Sequence, residues 1–180
     1  EKDFKPDLGM EVLCKVLRRE LPLRAHAHRA DDIMTAIRIA RELDVDIIIE
    51  HATEGYQVAD VIAAEQVPVI LGPTLTTRSK LELKDKNMAA PAIMEQHGAL
   101  FALMSDHPVI PSCYLPVYAG LATRYGLSEE RALRMITADA AKILGLDDRV
   151  GSLAPGLDAD LVVWSGHPFQ LASRPELVVV

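Results

Sequence analysis

Leu-Pro-Leu-Arg-Ala-His-Ala-His, residues 21–28, is the stretch on which the fold turns. It reads as a short buried strand that ends in two imidazoles, His26 and His28. A helical pattern follows over Asp31 to Leu43, with Ile33, Ile37, Ala40 and Leu43 on its apolar face and Asp31 or Asp32 suited to its N-terminus. Asp46-Ile-Ile-Ile-Glu50 is then a second apolar run, too short and too β-branched for a helix, and it too ends in a histidine, His51. Strand, helix, strand with metal-binding side chains at both strand ends is the βαβ pattern of a parallel sheet. In a (β/α) barrel the carboxyl ends of the strands face one pocket, which makes His26, His28 and His51 candidate neighbours in space.

The alternation extends in both directions from this core. Upstream, Glu1 to Asp7 reads as a polar loop, and Met10, Leu13, Val16 and Leu17 mark a helix over residues 9–20. Downstream come a helix over 55–65, a strand over 67–73 stopped by Gly72 and Pro73, a helix over 87–97 and a fourth strand over 99–104 that runs into Ser105-Asp106-His107-Pro108. Residues 74–86 are polar and charged and predict no element; a loop of that length is a lid, a substrate loop or a mobile segment. After the proline-rich segment 109–116, helices are predicted over 117–125 and 128–144, the second opened by an N-cap serine, Ser128, and an acidic first turn. The tail changes character: 150–156 is a turn and Ala159 to Trp164 a strand, a small β unit appended to the α/β part.

Composition narrows the classes. Of 180 residues 49% are hydrophobic and 25% charged, a globular profile with a substantial core rather than a disordered one. A net charge of −7 and scattered arginines carry no electrostatic footprint for nucleic acid. No apolar run approaches the roughly 20 residues of a membrane span, and the opening Glu-Lys-Asp-Phe-Lys does not read as a signal peptide. Cys14 and Cys113 lack metal-site spacing and are read as reduced, partly buried thiols, so the expected location is cytoplasmic. The six methionines, residues 10, 34, 88, 94, 104 and 135, are assigned to packing faces.

The chemistry falls on His26, His51 and Asp106, each at a strand end and each an ordinary ligand for a divalent, zinc-like ion. Such an ion lowers the pKa of a bound water to about 7, and a carboxylate beside it can pass the proton to a leaving group, the catalytic role given to Asp106. A lone strand-end histidine is better explained as a satisfied rim residue; three at matching strand ends reverse that preference. His28, two residues beyond His26 and on the same side of the strand, is placed in contact with substrate or behind a ligand. His107 has a rim or catalytic role, and Arg29 or Arg78 could meet an anionic substrate group, although solvated rim charges are commoner. Glu50 could orient a ligand or the barrel wall, Glu54 is a helix-entry charge, His97 suits a helix C-terminus and His167 a turn.

Leu-Arg-Ala-His26-Ala-His28, Ile-Ile-Glu-His51-Ala-Thr, Leu-Met-Ser-Asp106-His-Pro and the segment from Gly151 to Val163, taken in order, resemble the amidohydrolase superfamily and within it the imidazolonepropionase-like and prolidase-like members. The resemblance implies His26, His51 and Asp106 as the metal ligands of strands 5, 6 and 8, and a tail returning into a flanking β-sandwich. The family's strand-1 His-x-His pair and its strand-4 lysine or glutamate have no counterpart here. The expected architecture is therefore α/β, the C-terminal half of a TIM (β/α)8 barrel, strands 5 to 8, over residues 1–145, with part of the small β-sandwich over 146–180. The implied activity is metal-dependent hydrolysis of a C–N bond in a small-molecule substrate, with His28, His107 and Arg29 as substrate contacts. A half barrel would expose two strand edges and an apolar face, which predicts a homo-oligomer. The alternative is a self-associating α/β fragment without catalytic activity.

Overall fold

The computed structural model describes residues 7–180. The expected opening loop therefore lies outside the described residues except for Asp7, whose carboxylate caps helix α1 (Leu8–Leu17) by accepting from the backbone N–H groups of Gly9 and Met10. The chain then alternates as the sequence implies: β1 (Leu23–Ala27), α2 (Ala30–Leu43), β2 (Ile47–His51), α3 (Ala59–Ala64), β3 (Val69–Leu71), α4 (Ala90–Gln96) and β4 (Phe101–Leu103). Single 3-10 turns at Gly55–Val58 and Leu81–Leu83 precede α3 and sit within the 74–86 segment. These four strands form one parallel sheet in the order β1-β2-β3-β4, with Leu23 opposite Ile47, Ile49 opposite Val69 and Leu71 opposite Leu103.

Side-chain alternation gives the sheet two unlike faces. Ile47, Ile49, Val69, Leu71, Phe101 and Leu103 join Ile33, Ile37, Ile62 and Met94 from the helices in the main core. Ile48, Ile70 and Ala102 point the other way and are buried with Ile143 of α7 (Ala138–Leu144), so the face expected to be bare is partly covered. Among the described residues β1 and β4 end the sheet with no strand beyond either, the two edges expected of a half barrel; on the β4 side one outward group, the Leu103 N–H, donates to the carbonyl of Met135 at 3.2 Å. At the β1 edge Arg24 and His26 are exposed.

After β4 come α5 (Leu115–Thr123) and, in place of the one helix expected over 128–144, two: α6 (Glu129–Arg134) and α7. The break falls at Thr137, whose backbone leaves the helical region (φ −135°, ψ −95°) and whose hydroxyl donates to the carbonyl of Leu133 at 2.8 Å. Turning there lets Asp139, on the first turn of α7 and 4% exposed, ion-pair with Arg131 and Arg134 of α6. Arg131 also pairs with Glu95 of α4 at 2.5 Å and sits over the Phe101 ring at 5.0 Å, so one guanidinium ties three helices to β4.

The tail forms an antiparallel pair, β5 (Leu161–Trp164) with β6 (Pro175–Val179), of which the sequence reading found the first strand alone. Phe169, in the connection between them, packs on Gly120 of α5, where an added Cβ would stand 3.1 Å from the Phe169 Cβ. Two packing expectations fail. Met94 and Met135 are fully buried, whereas Met10 and Met34 are exposed because their helices present those positions to solvent; Cys14 and Cys113 are exposed, unpaired thiols rather than partly buried ones.

Candidate metal centre

Three imidazoles meet where β1 and β2 end. The ring centroids of His26 and His51 lie 4.1 Å apart, those of His28 and His51 4.6 Å and those of His26 and His28 4.8 Å. One ligand nitrogen from each falls within 4.8 Å of the others, a spacing that could hold a single metal ion. His26 is exposed, while His28 and His51 are buried.

The backbone at the strand ends is bent to achieve this. Continued alternation would aim His51 into the helix-packed core alongside Ile47 and Ile49; instead His51 has φ +71° and Ala52 φ +43°, conformations that side-chain-bearing residues seldom adopt. The bend is fixed by hydrogen bonds from the Ala52 N–H to the Ala27 carbonyl (2.9 Å) and from the Gly72 N–H to the His51 carbonyl (3.1 Å). His51 Nδ1 in turn lies 2.8 Å from the Gly72 carbonyl oxygen. A carbonyl only accepts, so Nδ1 carries the proton and Nε2 keeps a free lone pair. Gly72 is the residue this arrangement requires: φ is +136°, and a Cβ there would lie 2.4 Å from the carbonyl oxygen of Met104. Arg19, Asp44 and Gln66 also have positive φ, but they close α1, α2 and α3 at the other end of the sheet.

His28 Nδ1 lies 2.7 Å from the Thr53 hydroxyl, and its Nε2 is 3.6 Å from a carboxylate oxygen of Glu82. Burial, then the nearby His51, push the His28 pKa down to about 4; burial also lowers that of His51, against the opposing pull of the Gly72 carbonyl and of Asp106. Both rings are therefore neutral at pH 7, the form that donates a lone pair to a cation. The donor set fits a divalent ion of the zinc type.

The remaining candidates are dispersed. Asp106, at φ +53° in the turn after β4, is half-buried and acts electrostatically on His51 but is not one of the three clustered ligand groups. His107 is exposed. Arg29 is engaged with Asp31 at 2.9 and 3.2 Å, and Arg78 donates to the carbonyl of Lys86 at 2.8 Å. Glu54 is buried and caps α2, accepting from the Ala30 N–H at 2.9 Å, so its charge serves a helix before it in sequence rather than the one it precedes. His97 closes α4 with Nδ1 2.9 Å from the Ile93 carbonyl. Sequence reasoning missed Thr53 and Glu82. Thr53 lies two residues past His51, within reach of inspection, but Glu82 sits in the segment read as irregular.

The amidohydrolase family model matches residues 8–180. This chain belongs to the amidohydrolase family. Imidazolonepropionase of Ruegeria sp. strain TM1040 is 33% identical over 163 residues, covering 86% of this chain and 38% of its own length. The crystal structure of an amidohydrolase from Thermotoga maritima MSB8 superposes with a TM-score of 0.95 at 54% identity, over 99% of this chain and 47% of that one. A zinc-bound adenosine deaminase from Xanthomonas campestris shares the fold at 23% identity and a TM-score of 0.59, over 84% of this amidohydrolase chain and 39% of its own. The chain thus spans less than half the length of each of these relatives, and its parallel α/β sheet is that part of their fold. Metal dependence is a property of the amidohydrolase family, and the three-histidine cluster is where this member could hold its ion.

Proposed function

We propose that this amidohydrolase chain is the metal-holding portion of a hydrolase that cleaves a C–N bond, amide, peptide or cyclic amide or amidine, in a small molecule. In this reading β1 to β4 are strands 5 to 8 of a (β/α)8 barrel and residues 146–180 are a segment of the flanking β-sandwich. The observation that carries it is the meeting of His26, His28 and His51 at adjacent strand ends, their rings 4.1–4.8 Å apart. The imidazolonepropionase relatives support the bond class, and the imidazole and carboxylate donors support zinc.

His51 holds the ion through Nε2, because its Nδ1 is committed to Gly72, and His26 supplies the second nitrogen. When bound, the cation supplies the Lewis acidity that makes water a nucleophile near neutral pH. Asp106, on the turn after β4, takes the proton that the attacking water loses and returns it to the departing nitrogen. His28, anchored on Thr53, faces the substrate; His107 and Arg29 meet it at the rim, Arg29 by exchanging Asp31 for an anionic substrate group. The exposed, unpaired thiols Cys14 and Cys113 support a reducing, cytoplasmic setting.

Titration calorimetry with zinc on the intact chain tests the assignment. His51→Ala is expected to weaken binding at least 100-fold and His28→Ala less than 10-fold. Equal affinity in His51→Ala and the parent would remove the site.

A further inference from the structure

His51 has a hydrogen-bond acceptor for its second ring nitrogen, the Gly72 carbonyl, whereas His26 has none among the described residues. A metal-binding histidine ordinarily hands its other N–H to a carboxylate or carbonyl, which fixes the ring and strengthens the ligand. The β1–β2 ladder places one candidate beside it: His26 is the register partner of Glu50, and paired residues in parallel strands project from the same face. Arg24, two residues before His26 and hence also on that face, ion-pairs with Glu50 through both Nε and Nη2. Both contacts fall on Oε1, which leaves Oε2 unengaged among the described residues. The Glu50 side chain is only 16% exposed, and its charge acts on His51 as well. A half-buried carboxylate that is held by one oxygen, at the strand position paired with an imidazole lacking an acceptor, has the form of an outer support for a metal ligand.

We propose that Glu50 is the positioning residue of the metal centre: held through Oε1 by Arg24, it accepts the ring N–H of His26 on Oε2 and adds the negative charge that a dication needs beside neutral imidazoles. This rests on the reading of His26 and His51 as ligands. Arg24 has a second effect, since it keeps the carboxylate from swinging onto the ion and becoming a ligand itself.

The experiment is calorimetry with zinc, together with the visible absorption spectrum of the cobalt(II)-loaded chain, on the intact parent and its variants. Glu50→Gln is expected to weaken zinc binding 10- to 100-fold and to shift the cobalt bands, while Glu50→Asp, which keeps the charge, recovers part of the affinity. Arg24→Met is expected to bind zinc at least as tightly as the parent but to change the cobalt spectrum, because the released carboxylate enters the coordination sphere. The double variant Arg24→Met/Glu50→Gln leaves no orphaned charge and should show the same loss as Glu50→Gln if the latter folds poorly. A parent that binds zinc, with Glu50→Gln and the double variant within twofold of it, overturns this inference alone; a parent that binds no zinc overturns the site itself.

Discussion

At the scale of single residues, the site is maintained by backbone conformations that tolerate little change. Gly72 occupies φ +136° with a carbonyl oxygen 2.4 Å from where a Cβ would be, so Gly72→Ala should cost about 2–3 kcal/mol in denaturant unfolding and also weaken zinc binding, since its own carbonyl orients His51. His28 sets a pH dependence for the metal-free chain. Its pKa drops from an ordinary 6.5 to about 4 on folding, so between those values the unfolded chain binds more protons than the folded one. The stabilisation is whole above pH 6.5 and is lost as the pH falls toward 4; urea midpoints at pH 7, 5.5 and 4 should decline, and His28→Phe should flatten that decline. His26, His28 and His51 could be read from the sequence because strand ends announce themselves by residue type. The acceptors on Gly72 and Thr53 could not, because they depend on where the backbone turns after the strand has ended.

Among the elements, the alternation of strand and helix was legible because burial on both faces of a parallel strand writes a continuous apolar run such as Asp46-Ile-Ile-Ile-Glu50. Two features escaped for opposite reasons. The break at Thr137 lies inside a good helical pattern and goes with ion pairs between Asp139 and two arginines of the preceding helix, and β6 is Pro-Glu-Leu-Val-Val, an apolar run without turn signals on its far side. The Arg131–Asp139–Arg134 group that the break creates is nearly buried on the aspartate side. Arg131→Ala leaves that carboxylate with Arg134 alone, releases Glu95 and uncovers the Phe101 ring. A loss of about 1.5–3 kcal/mol is expected, measured as a fall in the denaturant midpoint at unchanged slope, with zinc affinity in the surviving folded fraction unaltered.

For the molecule as a whole, the sequence pattern conveyed a partial α/β barrel but not how its open sides are treated. α1 buries no residue at all, and Leu8, Met10, Leu13 and Leu17 are each at least half exposed, so this helix carries a run of uncovered apolar side chains. Self-association through α1 is the expected consequence. Light scattering coupled to size exclusion should report a species larger than 19.7 kDa, and Leu13→Glu with Leu17→Glu should return it to the monomer mass. A contact in which each copy offers its α1 face to the α1 face of the other joins two copies through like surfaces, related by a twofold axis. Such a contact closes on itself, so concentrating the protein should give a closed pair at saturation and not a fibre.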